Sequence, residues 1–271
     1  MPELPEILLR SREVNEALTG RTIARADVVQ PKILNLPAEE FCQRLLGQTF
    51  VGAEPRGKWI CCRLSEDCLL INLGMGGELL LHEPGEPLPQ KVQAVLHLAD
   101  GGRLSLHFAW FGYLHLVTPA GLAEHPMAGR IGVDPLSPDF DEEAFGALLA
   151  GRRTRIKNIL LDQSQIAGIG NMYAHDILFR AGVHPLRQAS DLRAAEVTAL
   201  WRAIREALGE AVALGGFRYE VGLHGQGGTL DMAWMQVGYR EGQPCPRCGA
   251  AIAKIKTGST ASFICPTCQP L

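Results

Sequence analysis

Cys245-Pro246-Arg247-Cys248 and, separated from it by sixteen residues, Cys265-Pro266-Thr267-Cys268 stand near the end of a sequence of 271 residues. Each Cys-x-x-Cys pair offers two thiolates from one tight turn, and four thiolates complete a tetrahedral zinc site with no position left open. A closed site of this kind folds its module and does not catalyse. Thioredoxin-type redox chemistry would need a βαβ context, which the surrounding sequence lacks. Between the pairs lie Lys254 and Lys256 with no acidic residue, so the tip of the module is basic. A basic zinc hairpin suits nucleic acid, and a purely structural clip fits the same residues. The other cysteines, Cys42, Cys61, Cys62 and Cys68, lie among apolar neighbours, where a free thiol acts as a small buried hydrophobe. Such cysteine usage points to a reducing cytoplasm.

Working outward, the composition is that of a globular chain with a substantial core: 46% hydrophobic, with a net charge of -3. The charge does not announce a nucleic-acid binder, but a local basic face matters more than the sum. No apolar run is long enough for a membrane span, and Glu3 and Glu6 argue against a signal peptide. The length allows two domains, or one with an appendage.

Period and turn signals divide the rest. Leu4, Ile7, Leu8, Val14 and Leu18 fall at helical spacing before Gly20, and Ala38–Leu46 reads as a second, short helix. Thr22–Val29, Trp59–Leu64, Leu69–Leu73, Glu78–His82, Val95–Ala99, Arg103–Phe108 and Tyr113–Val117 read as strands of a sandwich or barrel. A Pro- and Gly-rich stretch, Glu124–Pro138, marks a boundary. Helical period then covers Asp141–Leu149, Arg155–Asp162, Asn171–Ala181 and about Leu192 to Leu214, followed by a glycine-rich loop over Gly215–Gly228 that is expected to be mobile. No internal repeat is visible.

Three further groups of residues can carry chemistry. In Met1-Pro2-Glu3-Leu4-Pro5-Glu6 the initiator methionine precedes a proline, a pair from which it is readily removed. The exposed Pro2 would be a secondary amine able to attack a carbonyl carbon, and an α-amine titrates about two to three units below a lysine. Glu3 and Glu6 would supply carboxylates for proton traffic. The same six residues also read as an ordinary helix start, with Pro in the first turn and acids at the positive end of the dipole. Second, Arg152-Arg153-x-Arg155-x-Lys157 puts basic residues along one helix, and Gly168-Ile169-Gly170 leads to Asn171 as the cap of the next. A helix N-terminus reached through glycines offers N–H groups to a phosphate, and a capped turn beside a solvated basic face is the plainer reading. Third, Lys58 follows Arg56-Gly57 before a strand, where a lone lysine is ordinarily a solvated charge.

Taken together, Pro2-Glu3-Leu4-Pro5-Glu6, Gly57-Lys58, Asn72-Leu73-Gly74-Met75-Gly76-Gly77, Phe111-Gly112, Ile156-Lys157, Asp162-Gln163, Ala167-Gly168-Ile169-Gly170-Asn171-Met172-Tyr173 and the four cysteines occur in an order that resembles the formamidopyrimidine-DNA glycosylase/endonuclease VIII family of base-excision repair enzymes. The resemblance spans the whole chain. It implies an α+β fold: an N-terminal helix and β-sandwich domain (1–130), a helix–two-turn–helix DNA-binding domain (138–230) and a C-terminal β-hairpin zinc finger (235–271), with damaged double-stranded DNA as partner. It implies one structural zinc on Cys245, Cys248, Cys265 and Cys268, and a monomer working in the cytoplasm at the nucleoid. By the same resemblance Pro2 attacks the deoxyribose anomeric carbon and forms a Schiff base, Glu3 acts as acid and base, Glu6 supports it, and Lys58 contacts phosphate and assists β-elimination. The target base must leave the helix first, since its glycosidic bond is out of reach in the stack. Arg152, Lys157 and Asn171 match phosphate-holding positions, and Lys91 falls where many members carry a DNA-facing histidine.

Three departures set this sequence apart. An arginine that members carry five residues before the third cysteine is Thr260 here, and a hydroxyl cannot replace a guanidinium fork; Lys254 and Lys256 offer partial compensation. Met75 and Phe111 match the residues that fill the space of a flipped base, but the arginine that joins them is Ala109, with Trp110 beside it either to stack into the gap or to serve as core. Gly238 and Tyr239 are in swapped order, and the Gly215–Gly228 stretch matches neither usual lesion-capping loop. The implied activity is a bifunctional glycosylase and AP lyase. A DNA-binding protein of this fold with weak excision, or mainly an AP lyase, is the alternative.

Overall fold

Leu4, Ile7, Val14 and Leu18 are buried on one side of the first helix, α1 (Leu4–Leu18), as their spacing requires. The computed structural model describes residues 1–258 and 260–271. The chain forms two compact units, 1–130 together with 215–229, and 131–214 together with 230–271.

In the first unit the strands are β1 (Ile23–Val28), β2 (Phe50–Arg56), β3 (Trp59–Leu64), β4 (Cys68–Asn72), β5 (Glu78–His82), β6 (Ala94–Leu98), β7 (Arg103–His107) and β8 (Tyr113–Val117). They make two four-stranded antiparallel sheets, ordered β1-β6-β7-β5 and β2-β3-β4-β8. Leu79, Leu96 and Leu104 from one sheet meet Ile60, Ile71 and Leu114 from the other in a single core. Ile7, Val14 and Leu18 of α1 and Phe41 and Leu45 of α2 (Ala38–Leu45) complete it. This is the expected helix plus sandwich. The strand β2 is not among the expected elements, because Gly52 and Pro55 interrupt its pattern. Pro55 is tolerated there since β2 lies at a sheet edge and needs no donor on its outer side.

Residues 215–229 belong with the first unit, not with the helical region that the 138–230 span assigned them to. They form no helix or strand, yet they are anchored. Leu223 enters the sandwich core, its N–H donates to Glu13 (2.7 Å) and its carbonyl accepts from the Leu81 N–H (2.8 Å). Each anchor is a contact to a residue distant in sequence, so no local periodicity betrays it.

The second unit contains α3 (Glu142–Leu149), α4 (Ile156–Leu161), α5 (Asn171–Ala181), α6 (Ala194–Ala213) and a hairpin of β9 (Ala253–Lys256) and β10 (Ala261–Ile264). Asp141 caps α3 by accepting from the Ala144 N–H (2.7 Å). Leu200, Ile204, Ala207, Leu208 and Ala211 form the buried stripe of α6. Asp176 of α5 is fully buried and accepts from the N–H groups of Gln236, Val237 and Gly238 at 2.6, 3.1 and 3.0 Å. Burial pushes its carboxyl above the usual range while those three donors oppose the shift. One side chain thereby holds the segment that leads to the zinc hairpin. The swapped Gly238 and Tyr239 have a backbone consequence: Tyr239 adopts φ 60°, a region where non-glycine residues are uncommon. Among the described residues no helix is long and apolar enough to cross a membrane.

Candidate active site

Pro2 is buried immediately ahead of α1, and Glu3 and Glu6 in the first turn are each 5% exposed. Glu6 is committed at both oxygens: Oε2 accepts from the Glu3 N–H (3.1 Å) and Oε1 from the Phe217 N–H (3.3 Å). Gly216 makes the second contact possible, having φ +74° and a Cα whose missing Cβ would lie 3.1 Å from Glu6 Oε1. With Met1 in place the Pro2 nitrogen is an amide, and the terminal ammonium sits on Met1, 3.5 Å from Oε1 of Glu220. Glu220 was missed by sequence reading; it stands in the glycine-rich segment with no pattern to mark it. Burial raises its carboxyl to about 7, with the terminal ammonium and Arg10 opposing and Glu6 adding to the rise.

Lys58 occupies the tight turn between β2 and β3, beside Gly57 at φ 59°. The Asn72 side chain donates from Nδ2 to the Lys58 carbonyl (3.0 Å) and accepts at Oδ1 from the Gly74 N–H (3.0 Å). One carboxamide therefore ties the lysine turn to the loop that carries Met75. Gly74 is required there, since a Cβ would stand 2.0 Å from the Trp110 carbonyl oxygen. Met75 and Trp110 exchange backbone hydrogen bonds of 2.9 and 3.2 Å, and Phe111 follows at φ 57°. Met75, Trp110 and Phe111 are 43%, 65% and 67% exposed. Trp110 is thus not core; it joins an apolar patch of the kind that stacks against bases. Lys91 is exposed.

At the C-terminal hairpin the four cysteines converge, with all sulfurs within 4.8 Å of one another. Cys245 Sγ lies 3.9 Å from Cys268 Sγ, and Cys248 Sγ lies 3.4 Å from Cys265 Sγ. Sulfurs about 2.3 Å from a tetrahedral zinc stand about 3.8 Å apart, so the donor set fits one structural zinc. The Arg247 and Cys268 N–H groups each donate to a ligand sulfur at 3.4 Å, which suits thiolate charge.

These features agree with relatives along the whole chain. The formamidopyrimidine-DNA glycosylase N-terminal domain matches residues 1–110, the H2TH domain of the same enzyme matches 131–221, and the zinc finger found in FPG and IleRS matches 242–271. The formamidopyrimidine-DNA glycosylase of Symbiobacterium thermophilum is 38% identical over 274 residues, covering 100% of this chain and 90% of that protein. The chain belongs to the formamidopyrimidine-DNA glycosylase family. The enzyme of the same name from Moorella thermoacetica is 39% identical, covering 94% and 95%. Among solved structures, a point mutant of the Lactococcus lactis FPG in complex with Fapy-dG containing DNA superposes with a TM-score of 0.91 at 29% identity over 100% of both chains. The Lactococcus lactis Fpg complex with abasic site containing DNA gives 0.90 at 30% identity, covering 99% of this chain and 100% of that one.

As a family member this chain arranges its basic residues differently from the expectation. The helix α4 begins only at Ile156, so Arg152 stands exposed ahead of it and the arginines do not line its face. Lys157, expected to hold phosphate, is 1% exposed and its amine is turned toward the hairpin. Its Nζ donates toward Thr257 Oγ1 (3.0 Å), Thr260 Oγ1 (3.1 Å), the Ala261 carbonyl (2.8 Å) and Ser262 Oγ (2.7 Å). Desolvation pulls this amine down to about 8. Thr260 thus serves as an acceptor for Lys157 from within the hairpin tip. Asn171 is not the helix cap: Gly170, extended at φ -127°, takes that place, and Asn171 Nδ2 lies 3.2 Å from His175 Nε2. Lys254 and Lys256 are exposed on β9, with Lys254 Nζ 5.8 Å above the Phe263 ring.

Proposed function

We infer that the chain is a DNA-repair glycosylase with AP lyase activity, and that the amine on Pro2, released by loss of Met1, is its nucleophile. The observation that carries this is the buried start of α1, where carboxylates are fixed around the point at which that amine is exposed. The relatives' shared name and the DNA bound by the Lactococcus lactis enzymes support the substrate class. In the proposed sequence the Pro2 lone pair attacks C1′ of a flipped deoxynucleotide. The bond to the damaged base breaks, the nitrogen gives up its proton, and the C1′–O4′ bond opens as the ring oxygen takes up a proton. The resulting iminium ion acidifies the neighbouring C2′ proton, whose loss drives β-elimination of the 3′ phosphate. Glu3 protonates the sugar oxygen or leaving base, and Glu6, with both oxygens engaged, holds the turn. Lys58 binds phosphate and assists elimination. Met75, Trp110 and Phe111 occupy the space left by the flipped nucleotide, with Trp110 in place of the missing arginine. Arg152, Lys91, Asn171, Lys254 and Lys256 hold the duplex, and Lys157 and Thr260 act by shaping the hairpin tip.

The three spans 1–130, 138–230 and 235–271 are proposed as its modules, with 215–229 serving the first. We also place the enzyme in the cytoplasm, at chromosomal DNA, as a monomer. The test is borohydride trapping on duplexes carrying an abasic site, formamidopyrimidine, 8-oxoguanine or an oxidised pyrimidine. A covalent adduct with abasic DNA is expected. No adduct with any duplex would leave only a DNA-binding role.

A further inference from the structure

Both Glu6 oxygens already accept backbone N–H groups, which fixes that side chain to the turn, and the proposed function gives Glu3 to the sugar or leaving base. A secondary amine at neutral pH carries a proton that must be removed before its lone pair can attack. The structure holds a third carboxylate at this place. Glu220 Oε1 lies 3.5 Å from the Met1 nitrogen, and its side chain is 8% exposed. One residue of backbone, at most about 3.6 Å, separates the Met1 nitrogen from that of Pro2. A carboxylate 3.5 Å from the first therefore lies no more than about 7 Å from the second.

Glu220 is also held there. Its N–H donates to the Phe217 carbonyl (3.0 Å), and the Phe217 N–H donates to Glu6 Oε1 (3.3 Å), so the turn is pinned to the first turn of α1. Facing it are the terminal ammonium, Glu6 and Arg10. Arg10 is itself buried and paired with Glu13. Glu13 in turn accepts from the Leu223 N–H (2.7 Å), so α1 and the 215–229 segment grip each other on both sides of Glu220.

We propose that Glu220 is the general base for the N-terminal amine, taking the proton from the Pro2 ammonium so that its nitrogen can attack. This rests on the reading of Pro2 as nucleophile and assigns a further catalytic residue to it. On an abasic aldehyde the proton passes from nitrogen to the Glu220 carboxylate, and the nitrogen lone pair forms the bond to C1′. The carbonyl oxygen then leaves as water, carrying two protons: that held by Glu220 and the second proton of the original ammonium. The carboxylate is regenerated and the product is the iminium ion. A carboxylate with a value of about 7 suits this task, since it is half-ready to accept at neutral pH where an ordinary glutamate is a much weaker base.

The test is single-turnover borohydride trapping on an abasic duplex from pH 5.5 to 9, comparing wild type, Glu220→Gln and Glu220→Asp, with Met1 removal verified by intact mass in each. Glu220→Gln is expected to trap about tenfold more slowly near pH 6.5 and to converge on wild type by pH 9, where the free-base amine no longer needs an acceptor. Glu220→Asp should restore most of the rate, and affinity for a stable abasic analogue should change less than about twofold in both variants. A wild-type pH profile in Glu220→Gln would overturn the proposal. So would an equal loss at every pH that Glu220→Asp shares, which is the mark of a structural prop. Absence of any wild-type adduct is a different result, and it would remove the lyase reading and this proposal together.

Discussion

The terminal amine of the first unit stands beside Glu220, with Glu3 and Glu6 in the helical turn it leads into, whereas the Lys157 amine of the second unit is enclosed by two threonines, a serine and a carbonyl. The Lys157 amine is withdrawn from water whereas Met1 is exposed, and the acceptors of the two amines differ in kind. A carboxylate raised toward neutrality exchanges a proton with a nearby amine at working pH. Hydroxyl and carbonyl oxygens accept hydrogen bonds but take no proton, so they fix a cation in place without reacting with it. The first arrangement is suited to chemistry and the second to architecture, although sequence alone presents both as an amine near polar residues.

That contrast can be broken from either side. The largest effect is expected from a chain that retains Met1, in which the Pro2 nitrogen stays an amide. Trapping on abasic DNA should fall by about a thousandfold or more, with duplex binding unchanged in a gel-shift assay. Equal trapping by the retained form would place the nucleophile elsewhere.

On the architectural side, Lys157→Ala leaves a void and a set of buried oxygens without their donor, a change expected to cost about 2–4 kcal/mol in thermal or denaturant unfolding. Its effect on the pH dependence of trapping should be nil, which separates it from Glu220. The lysine also carries a pH signature. Its folded value of about 8 lies below the ordinary 10.5, so between those limits the unfolded chain binds more protons and stability rises with pH. Relative to Lys157→Met, wild type should therefore gain stability across that window in urea titrations. A constant difference would show that the amine keeps its ordinary affinity for the proton.

Smaller shifts are expected at the residues proposed to meet DNA. Trp110→Ala should alter folding stability by no more than about 0.5 kcal/mol, since the ring is mostly exposed. The same variant should lose about 1–3 kcal/mol of affinity for a lesion duplex if the ring stacks. Unchanged affinity would assign the gap to Met75 and Phe111 alone. The smallest effect is expected from Thr260→Arg, a charge added at the tip and worth about 1 kcal/mol or less of binding. A higher share of δ- over β-elimination products, read on a denaturing gel, would accompany it. An unaltered product ratio would show that the guanidinium position has no role in this scaffold.

The sequence disclosed what is local or repetitive. The stripe of α1, the strand pairs of the sandwich and the paired cysteines all follow from spacing, and the order of the motifs pointed to the family. What it hid has physical causes. The edge strand β2 carries Gly52 and Pro55, so its alternation is spoiled although its place at the sheet edge tolerates both. Glu220 meets the terminus across more than two hundred residues of chain, and no nearby residue signals that meeting. Lys157 sits in a run of cations, and only the hairpin folded over it distinguishes the buried member from its exposed neighbours. Asn171 had the right chemistry for a cap, but Gly170 is the extended residue ahead of the helix and Asn171 is its first helical residue.

The Asn72 carboxamide grips the Lys58 carbonyl with one end and the Gly74 amide with the other. Two loops with different duties therefore share a single latch. Any push on the Met75 loop strains a hydrogen bond worth about 1 kcal/mol at the lysine turn, so movement of one loop is felt at the other. An isosteric Asn72→Asp change, which forfeits the donor and keeps the acceptor, would unfasten the lysine turn alone and let the two loops keep separate time.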